Sequence, residues 1–412
     1  MKQRSIKRSL GQLAALGIAS AVVLTACGGS SSSGEATSAA PEPAPVVASE
    51  APAEAAATEA PATEAPAPGP ADGVVEALAR YDAAKAPIVF SYPGEAFDAA
   101  ASAKGKKVAI ISWDDRIPIL AQWGDTIQAG FQDYGVKVSR SSADFDIEAI
   151  PGLFAQAVAA KVDLIVTNAI PGVVVPFDTI GDIPVMTTNQ TAKPGVAAAD
   201  GIIADVSFDY TIPARLMADW YIVTSEGGTK GDAQVVASEG QASSPIMVEE
   251  MQAEIAELCP DCKVNFTDAQ LGSWFDGVLA NETRNALTAN SNLKFLLPIY
   301  DGMTLAGTDP GISDAGSDAT QASFNATPDV MKGLGTSSVK MDVGCPNDWF
   351  GYAVVDASMR IFAGAPSIAD YGITCHVFDV GNIGDIDPST ENSMNWYAID
   401  FLKEFKSYWG AP

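Results

Sequence analysis

Histidine is almost missing from this chain: His376 is the single one among 412 residues. A Ser-His-Asp relay would need that imidazole, yet it lies beside Cys375 in a strand-like run, where a packed or edge histidine is the simpler assignment. No second cluster of ligands accompanies it, so no metal site is expected. Positive charge is scarce as well, with 24 Lys and Arg against 51 Asp and Glu and a formal charge of −27. Phosphate backbones and anionic lipid surfaces would repel such a body, which excludes nucleic acid as a partner and a basic patch as a membrane contact. The segment Trp113-Asp-Asp-Arg-Ile-Pro118 follows the first predicted strand without the glycines that let a backbone approach a pyrophosphate, and no cofactor is expected. Beyond the first 26 residues no apolar run is long enough to span a bilayer. Acid pairs are easily found among so many carboxylates and do not by themselves identify a hydrolase.

The amino terminus carries what basic character is concentrated anywhere. Lys2, Arg4, Lys7 and Arg8 precede an apolar stretch from Leu10 to Ala26, the order of a secretory signal. That stretch ends on Leu24-Thr25-Ala26-Cys27, which resembles the lipobox of bacterial lipoproteins. The resemblance implies cleavage after residue 26 and diacylglycerol on Cys27, several acyl chains on one residue being ample for stable attachment. The expected location is extracytoplasmic, anchored to the cell membrane only through Cys27. Removing the four basic residues moves the formal charge from −27 to −31.

From Gly28 to Gly73 there is no lysine, arginine or aromatic residue, and Thr-Glu-Ala-Pro occurs twice, at Thr58–Pro61 and Thr63–Pro66. Such a segment buries too little apolar surface to offset its ordering entropy, so residues 27–73 are expected to form a disordered tether with a reach of roughly 40 Å. About 340 residues follow, enough for two domains with their own cores.

From Lys106 onward, short β-branched runs alternate with longer amphipathic stretches, the signature of βαβ units and parallel sheets. Strands are expected at Lys107–Ser112, from Val136, and at Asp163–Thr167, Ile183–Thr187 and Gly201–Asp205, with helices at Ile119–Tyr134 and Ile147–Ala160. A second set follows, with strands at Ala233–Ser238, Lys263–Thr267, Lys294–Tyr300, Gln321–Asn325 and Ser338–Val343, and helices at Tyr210–Ser225, Pro245–Leu258 and Phe275–Ala289. In open sheets of this kind ligands sit beyond the carboxyl ends of the strands, which directs attention to the residues just after each one.

Those post-strand segments, taken in order, resemble the type I periplasmic sugar-binding proteins, ribose-binding proteins among them. The likeness rests on Lys107–Ser112 with Trp113–Pro118, Asp163–Asn168, Ile183–Gln190, Val235–Gln241, Lys294–Gly302, Ser323–Asn325 and Pro346–Tyr352, and covers roughly Lys106 to Asp379. It implies an α/β fold of two Rossmann-like lobes with parallel sheets, joined by a three-strand hinge, that closes on a small solute and presents it to a membrane ABC permease. The lobes would be 74–206, with 348–376 returning to it, and 207–347, with 377–412, in a monomer. Against the family pattern, Asn189-Gln190 stands where ribose-type receptors carry an Asp-Arg pair, and Asn325 where they carry Asp; Asp301 keeps its acid. The ligand would then be a sugar or polyol other than ribose, or a less polar solute.

The residues expected to meet it are Trp113, Asp114, Asp115, Arg116, Asn189, Gln190, Gln241, Trp274, Phe275, Tyr300, Asp301, Asn325 and Trp349. Aromatic rings at strand ends suit a sugar's apolar face, with hinge or core packing as the plain alternative for each. Four cysteines remain after Cys27, and export favours their pairing. Cys259-Pro-Asp-Cys262 closes a helix rather than opening one, which favours a structural disulfide over a thiol oxidoreductase centre and leaves Cys345 to pair with Cys375. The nearest rivals are a nucleoside-binding lipoprotein of the same fold and a solute sensor reporting to a membrane receptor. An extracytoplasmic enzyme using Asp301, or Cys259 and Cys262, stands further off; no catalytic residue is assigned.

Overall fold

The structure is a computed structural model that describes residues 70–389 and 393–410, all within one compact unit. The signal, Cys27 and the tether as far as Gly69 lie outside the described residues.

Two sheets organise the body. The first lobe holds β1 (Lys107–Ser112), β2 (Lys137–Ser142), β3 (Leu164–Asn168), β4 (Val185–Thr188) and β5 (Ile202–Val206), in the order β2-β1-β3-β4-β5 with every pairing parallel. The second lobe holds β6 (Asp232–Glu239), β7 (Val264–Gln270), β8 (Leu293–Pro298), β9 (Thr320–Phe324), β10 (Val339–Gly344) and β11 (His376–Asp379), in the order β11-β10-β9-β8-β6-β7. Only β11 runs antiparallel to its neighbour. The central strands β1 and β3 are buried on both faces, which is why they read as continuous apolar runs rather than alternating ones. Proline opens the helices Pro118–Gln132 and Ser244–Leu258 within their first turns, where its missing N–H costs nothing.

The chain passes between the sheets three times: after β5, after β10, and in the return to β11. The middle passage delivers the helix Asn347–Ala363, which packs on Pro118–Gln132 of the first lobe, as the family resemblance implies. A disulfide joins Cys345 in that passage to Cys375 at the end of the return, so two of the three hinge segments are covalently tied. The other, Cys259–Cys262, closes the turn after Ser244–Leu258.

Two segments flank these passages. Helix Pro70–Ala83 packs on the helices Thr211–Thr224 and Ser244–Leu258 of the second lobe. It is held there by Arg80, whose Nη2 donates to Asp219 at 2.9 Å and also meets Glu254, while Tyr81 donates to Asp379 on β11 at 2.7 Å. This helix begins at Pro70, ahead of Gly73, which lies against the backbone of Leu258 with no room for a Cβ. The chain then crosses to the first lobe, where Tyr92 donates to Asp356 at 2.6 Å. The carboxyl tail runs the same way. In place of one amphipathic helix from Met394 to Tyr408 there are two short ones, Ser393–Tyr397 and Phe401–Trp409. Tyr397 packs against Phe378 of β11 with ring centroids 5.7 Å apart, and Trp409 donates to Asp356 at 2.6 Å. Gly344 permits this, since a Cβ there would strike the Tyr397 hydroxyl at 2.5 Å.

Candidate functional site

The carboxyl ends of both sheets face a common cavity of about 50 Å³ beside the hinge, lined from both lobes. A larger cavity of about 580 Å³ lies at Asp232, Val264 and Leu293, the amino ends of β6, β7 and β8, the end of a parallel sheet that ligands do not use.

The first lobe contributes mainly carbon. Helix Pro118–Gln132 starts six residues after β1, so its first turns present Ile119, Leu120 and Trp123, joined by Ile117 and Ala169. Asn168, at the end of β3, fixes this turn by donating to the Leu120 carbonyl at 2.8 Å. Trp123 donates through Nε1 to Asn347 Oδ1 at 3.0 Å, and Asn347 Nδ2 donates to the Asn325 carbonyl at 3.2 Å. One asparagine in the middle passage thus ties an aromatic of the first lobe to a post-strand residue of the second.

Asn189 and Gln190 complete that wall after β4. Asn189 sits at φ 57°, a conformation asparagine tolerates better than most residues. Its Oδ1 accepts the Phe208 N–H at 3.0 Å, while its buried Nδ2 has no partner. The nearby carboxylate of Asp205 is taken up by neutral donors, among them Thr191 at 2.9 Å and the Gln190 N–H at 3.2 Å.

The second lobe supplies Gln241, Ser243, Trp274, Tyr300 and Asn325, with Tyr210 from the passage after β5. Ser243 and Tyr300 share a hydrogen bond of 2.6 Å. Burial pushes the phenols of Tyr210 and Tyr300 well above their ordinary range, so they stay protonated. Trp274 packs beside Tyr300 with centroids 5.9 Å apart, and its Nε1 is buried without a partner.

Of the thirteen residues singled out from the sequence, Asn189, Gln190, Gln241, Trp274, Tyr300 and Asn325 line the cavity. The rest stand elsewhere. The Asp114 carboxylate is buried and taken by the backbone and side chain of Arg116, at 2.7 and 2.9 Å. Asp115 pairs with Arg140 at 3.4 Å. Arg116 lies 5.6 Å from the Phe145 ring, and Trp113 meets the same ring edge-on at 6.0 Å. Phe275 approaches it from the second lobe at 6.4 Å. Trp113, Arg116 and Phe275 therefore gather outside the cavity, around a phenylalanine that the sequence reading did not single out. Trp349 is wholly buried between Phe90 and Phe401, because the tail covers the helix face it occupies.

Asp301 lies behind Tyr300, fully buried. It accepts from Ser323 at 2.6 Å and from the Thr327 N–H and hydroxyl at 2.6 and 2.7 Å. Burial raises its carboxyl to about 6. The neighbouring Asp342 is raised further by burial and by the charge of Asp301, and a protonated Asp342 can donate to Asp301 across the pair. Asp301 thus supports the wall without facing the cavity.

The sequence reading missed Ile117, Ile119, Leu120, Trp123, Ala169, Tyr210 and Ser243. A helix following β1 after so short a loop was the available signal for the first four; Trp123 read as interior to its helix, yet the i, i+4 spacing from Ile119 brings both to one face.

No protein-family model and no curated protein sequence matches the chain. Solved structures do. A Caulobacter myo-inositol binding protein bound to myo-inositol matches at TM-score 0.60 and 16% identity, over 69% of this chain and 97% of that one. The binding protein of the arabinose ABC transporter from Shewanella sp. ANA-3 matches at 0.59 and 17%, over 68% and 93%. A solute-binding protein from Actinobacillus succinogenes 130z with bound D-allose matches at 0.58 and 16%, over 68% and 99%. With two mostly parallel sheets, three passages between them and this likeness over nearly the whole of each neighbour, the chain has the two-lobe α/β fold of the type I periplasmic binding proteins.

Proposed function

We propose that this chain is an extracytoplasmic solute-binding lipoprotein that captures a small carbohydrate-like ligand between its lobes and delivers it to an ABC importer. The observation that carries the reading is the cavity itself, drawn from the carboxyl ends of both sheets and from the passages between them. Its volume of about 50 Å³ is small against the roughly 300 Å³ or more of a drug-sized pocket. Admitting a ring-sized solute therefore requires the lobes to part, and its capture shifts the population toward the closed form a permease would read. The fold neighbours with bound inositol and allose support the ligand class.

In this reading Asn189, Gln190, Gln241, Trp274, Tyr300 and Asn325 contact the ligand, with Tyr210 and Ser243 beside them. The lobes divide as 84–206 with 345–375 and 398–410, and 207–344 with 70–83 and 376–397. Cys27 carries the lipid, and the tether holds the body off the membrane.

A thermal-shift and calorimetric screen against pentoses, hexoses, polyols, nucleosides and amino acids tests capture, since a ligand that binds only the native state raises its melting temperature. A shift confined to one sugar or polyol class supports the reading; a cooperative melt unmoved by every solute sinks it. Replacing Cys27 by Ser is expected to move the chain from the membrane fraction to the soluble one. Retention in the membrane would remove the lipid anchor from the proposal.

A further inference from the structure

The cavity is unequal in its chemistry. Among the described residues that line it none is charged, and Ile117, Ile119, Leu120, Trp123 and Ala169 form a continuous apolar side. Two other lining residues carry buried donors that nothing in the protein satisfies: Nδ2 of Asn189, a residue 5% exposed on the same lobe, and Nε1 of Trp274, 2% exposed on the other. The Asn189 amide is held in its orientation, because turning it would trade the Phe208 N–H···Oδ1 bond for a clash of two donors. The phenol of Tyr300 is already engaged by Ser243.

An unpaired buried N–H costs more than an ordinary hydrogen bond gains, so these two groups call for acceptors on whatever fills the cavity. The apolar side imposes the reverse demand. A hexose or inositol carries hydroxyls all round its ring, and those turned toward Ile117, Ile119 and Leu120 would lose water without a partner. A carboxylate, ammonium or phosphate would meet no opposite charge among the described lining residues.

Resting on the solute-binding reading, we infer that the cleft selects a neutral ring with one hydroxyl-poor face, laid on the Ile117–Trp123 side, and hydrogen-bond acceptors at its edge for Asn189 and Trp274. The class is that of deoxy sugars and of glycosides bearing an apolar group. Charged sugars are excluded, and fully hydroxylated rings bind less well.

Calorimetric titration of the full-length chain with seven probes tests this. L-Rhamnose, phenyl β-D-glucopyranoside and thymidine are neutral with an apolar face, D-glucose and myo-inositol are fully hydroxylated, and D-glucuronate and D-glucosamine are charged. At least one of the first three is expected to bind tenfold or more tightly than glucose and inositol, with no binding of the charged pair. For that probe, Trp274→Phe, which keeps a ring and removes the donor, and Asn189→Asp, which replaces the donor by a charge, should each weaken binding at least tenfold. Melting temperature reports whether each variant folds, and either one alone carries the test. If glucose, inositol or a charged sugar binds as tightly as the best apolar-faced probe, or a folded variant keeps full affinity, the inference fails while solute capture stands. If none of the seven binds, the inference fails, and the wider thermal-shift screen alone decides solute capture.

Discussion

The two sides of the cleft grow from the same kind of place, the carboxyl ends of parallel strands, yet one is mostly carbon and the other is amide, hydroxyl and indole. On the first lobe a helix begins at Pro118 and its opening turns fill the space with Ile119, Leu120 and Trp123. On the second, a serine before a helix and single residues after β8 and β9 do so, namely Ser243, Tyr300 and Asn325. Topology decides where a ligand goes; the residues on the first turn after each strand decide what it can be. The difference also reaches behind the walls. The apolar side rests on packed rings, with Trp123 4.6 Å from Phe350. The polar side rests on a buried carboxyl pair, Asp301 and Asp342.

Breaking the apolar side should have the largest effect. Trp123 is 3% exposed and also holds Asn347, so Trp123→Ala is expected to cost about 3–5 kcal/mol of stability, read from denaturant unfolding. A loss under 1 kcal/mol would show that this wall is not structural. Next comes the tie that holds the walls in register. Removing Cys345–Cys375, which spans 30 residues, should cost about 3–4 kcal/mol, against about 2 for the three-residue span of Cys259–Cys262. Equal losses in the two double-alanine variants would overturn that ranking.

The carboxyl pair sharpens the comparison through pH. A carboxyl raised to about 6 in the folded state binds more protons there than in the unfolded chain, so its favourable contribution is complete below the unfolded pKa of about 4 and is lost as pH rises through about 6. Melting temperature should therefore fall between pH 4 and 7, and Asp342→Asn, which removes one titrating partner, should flatten that slope. Asp163 and Asp379, lowered by their lysine and backbone partners, act with the opposite sign and only below about pH 4; a slope unchanged in Asp342→Asn would place the pH response outside the pair. The smallest effect on stability is expected for Ser243→Ala, about 1 kcal/mol for the bond it makes to the Tyr300 phenol. A loss as large as that of Trp123→Ala would erase the distinction between the walls.

Much of the fold was legible because burial on both faces writes parallel strands as unbroken apolar runs, such as Val108 to Ile111 and Leu164 to Val166. The helix Asn347–Ala363 followed from the family resemblance rather than from a local pattern, while both disulfide pairings were legible because export favours pairing and Cys259 and Cys262 face each other across one turn. Polar candidates after strands were read less well. Asn189, Gln241 and Asn325 reach the cavity, whereas Asp114 turns back on Arg116 and Asp301 is spent on Ser323 and Thr327. A carboxylate looks the same in sequence whether it faces a ligand or caps its own loop.

The sequence by itself determined the lobes, their parallel sheets and the strand ends among which a site could lie, because hydrophobic period and helix-opening prolines act locally. The tertiary structure alone decided which of those ends converge. It set Asn347 between Trp123 and Asn325, buried Trp349 under a tail just over fifty residues further on, and left buried donors of Asn189 and Trp274 without partners. Those outcomes depend on how elements distant in the chain pack and on which polar groups find partners there, and no local pattern carries that information.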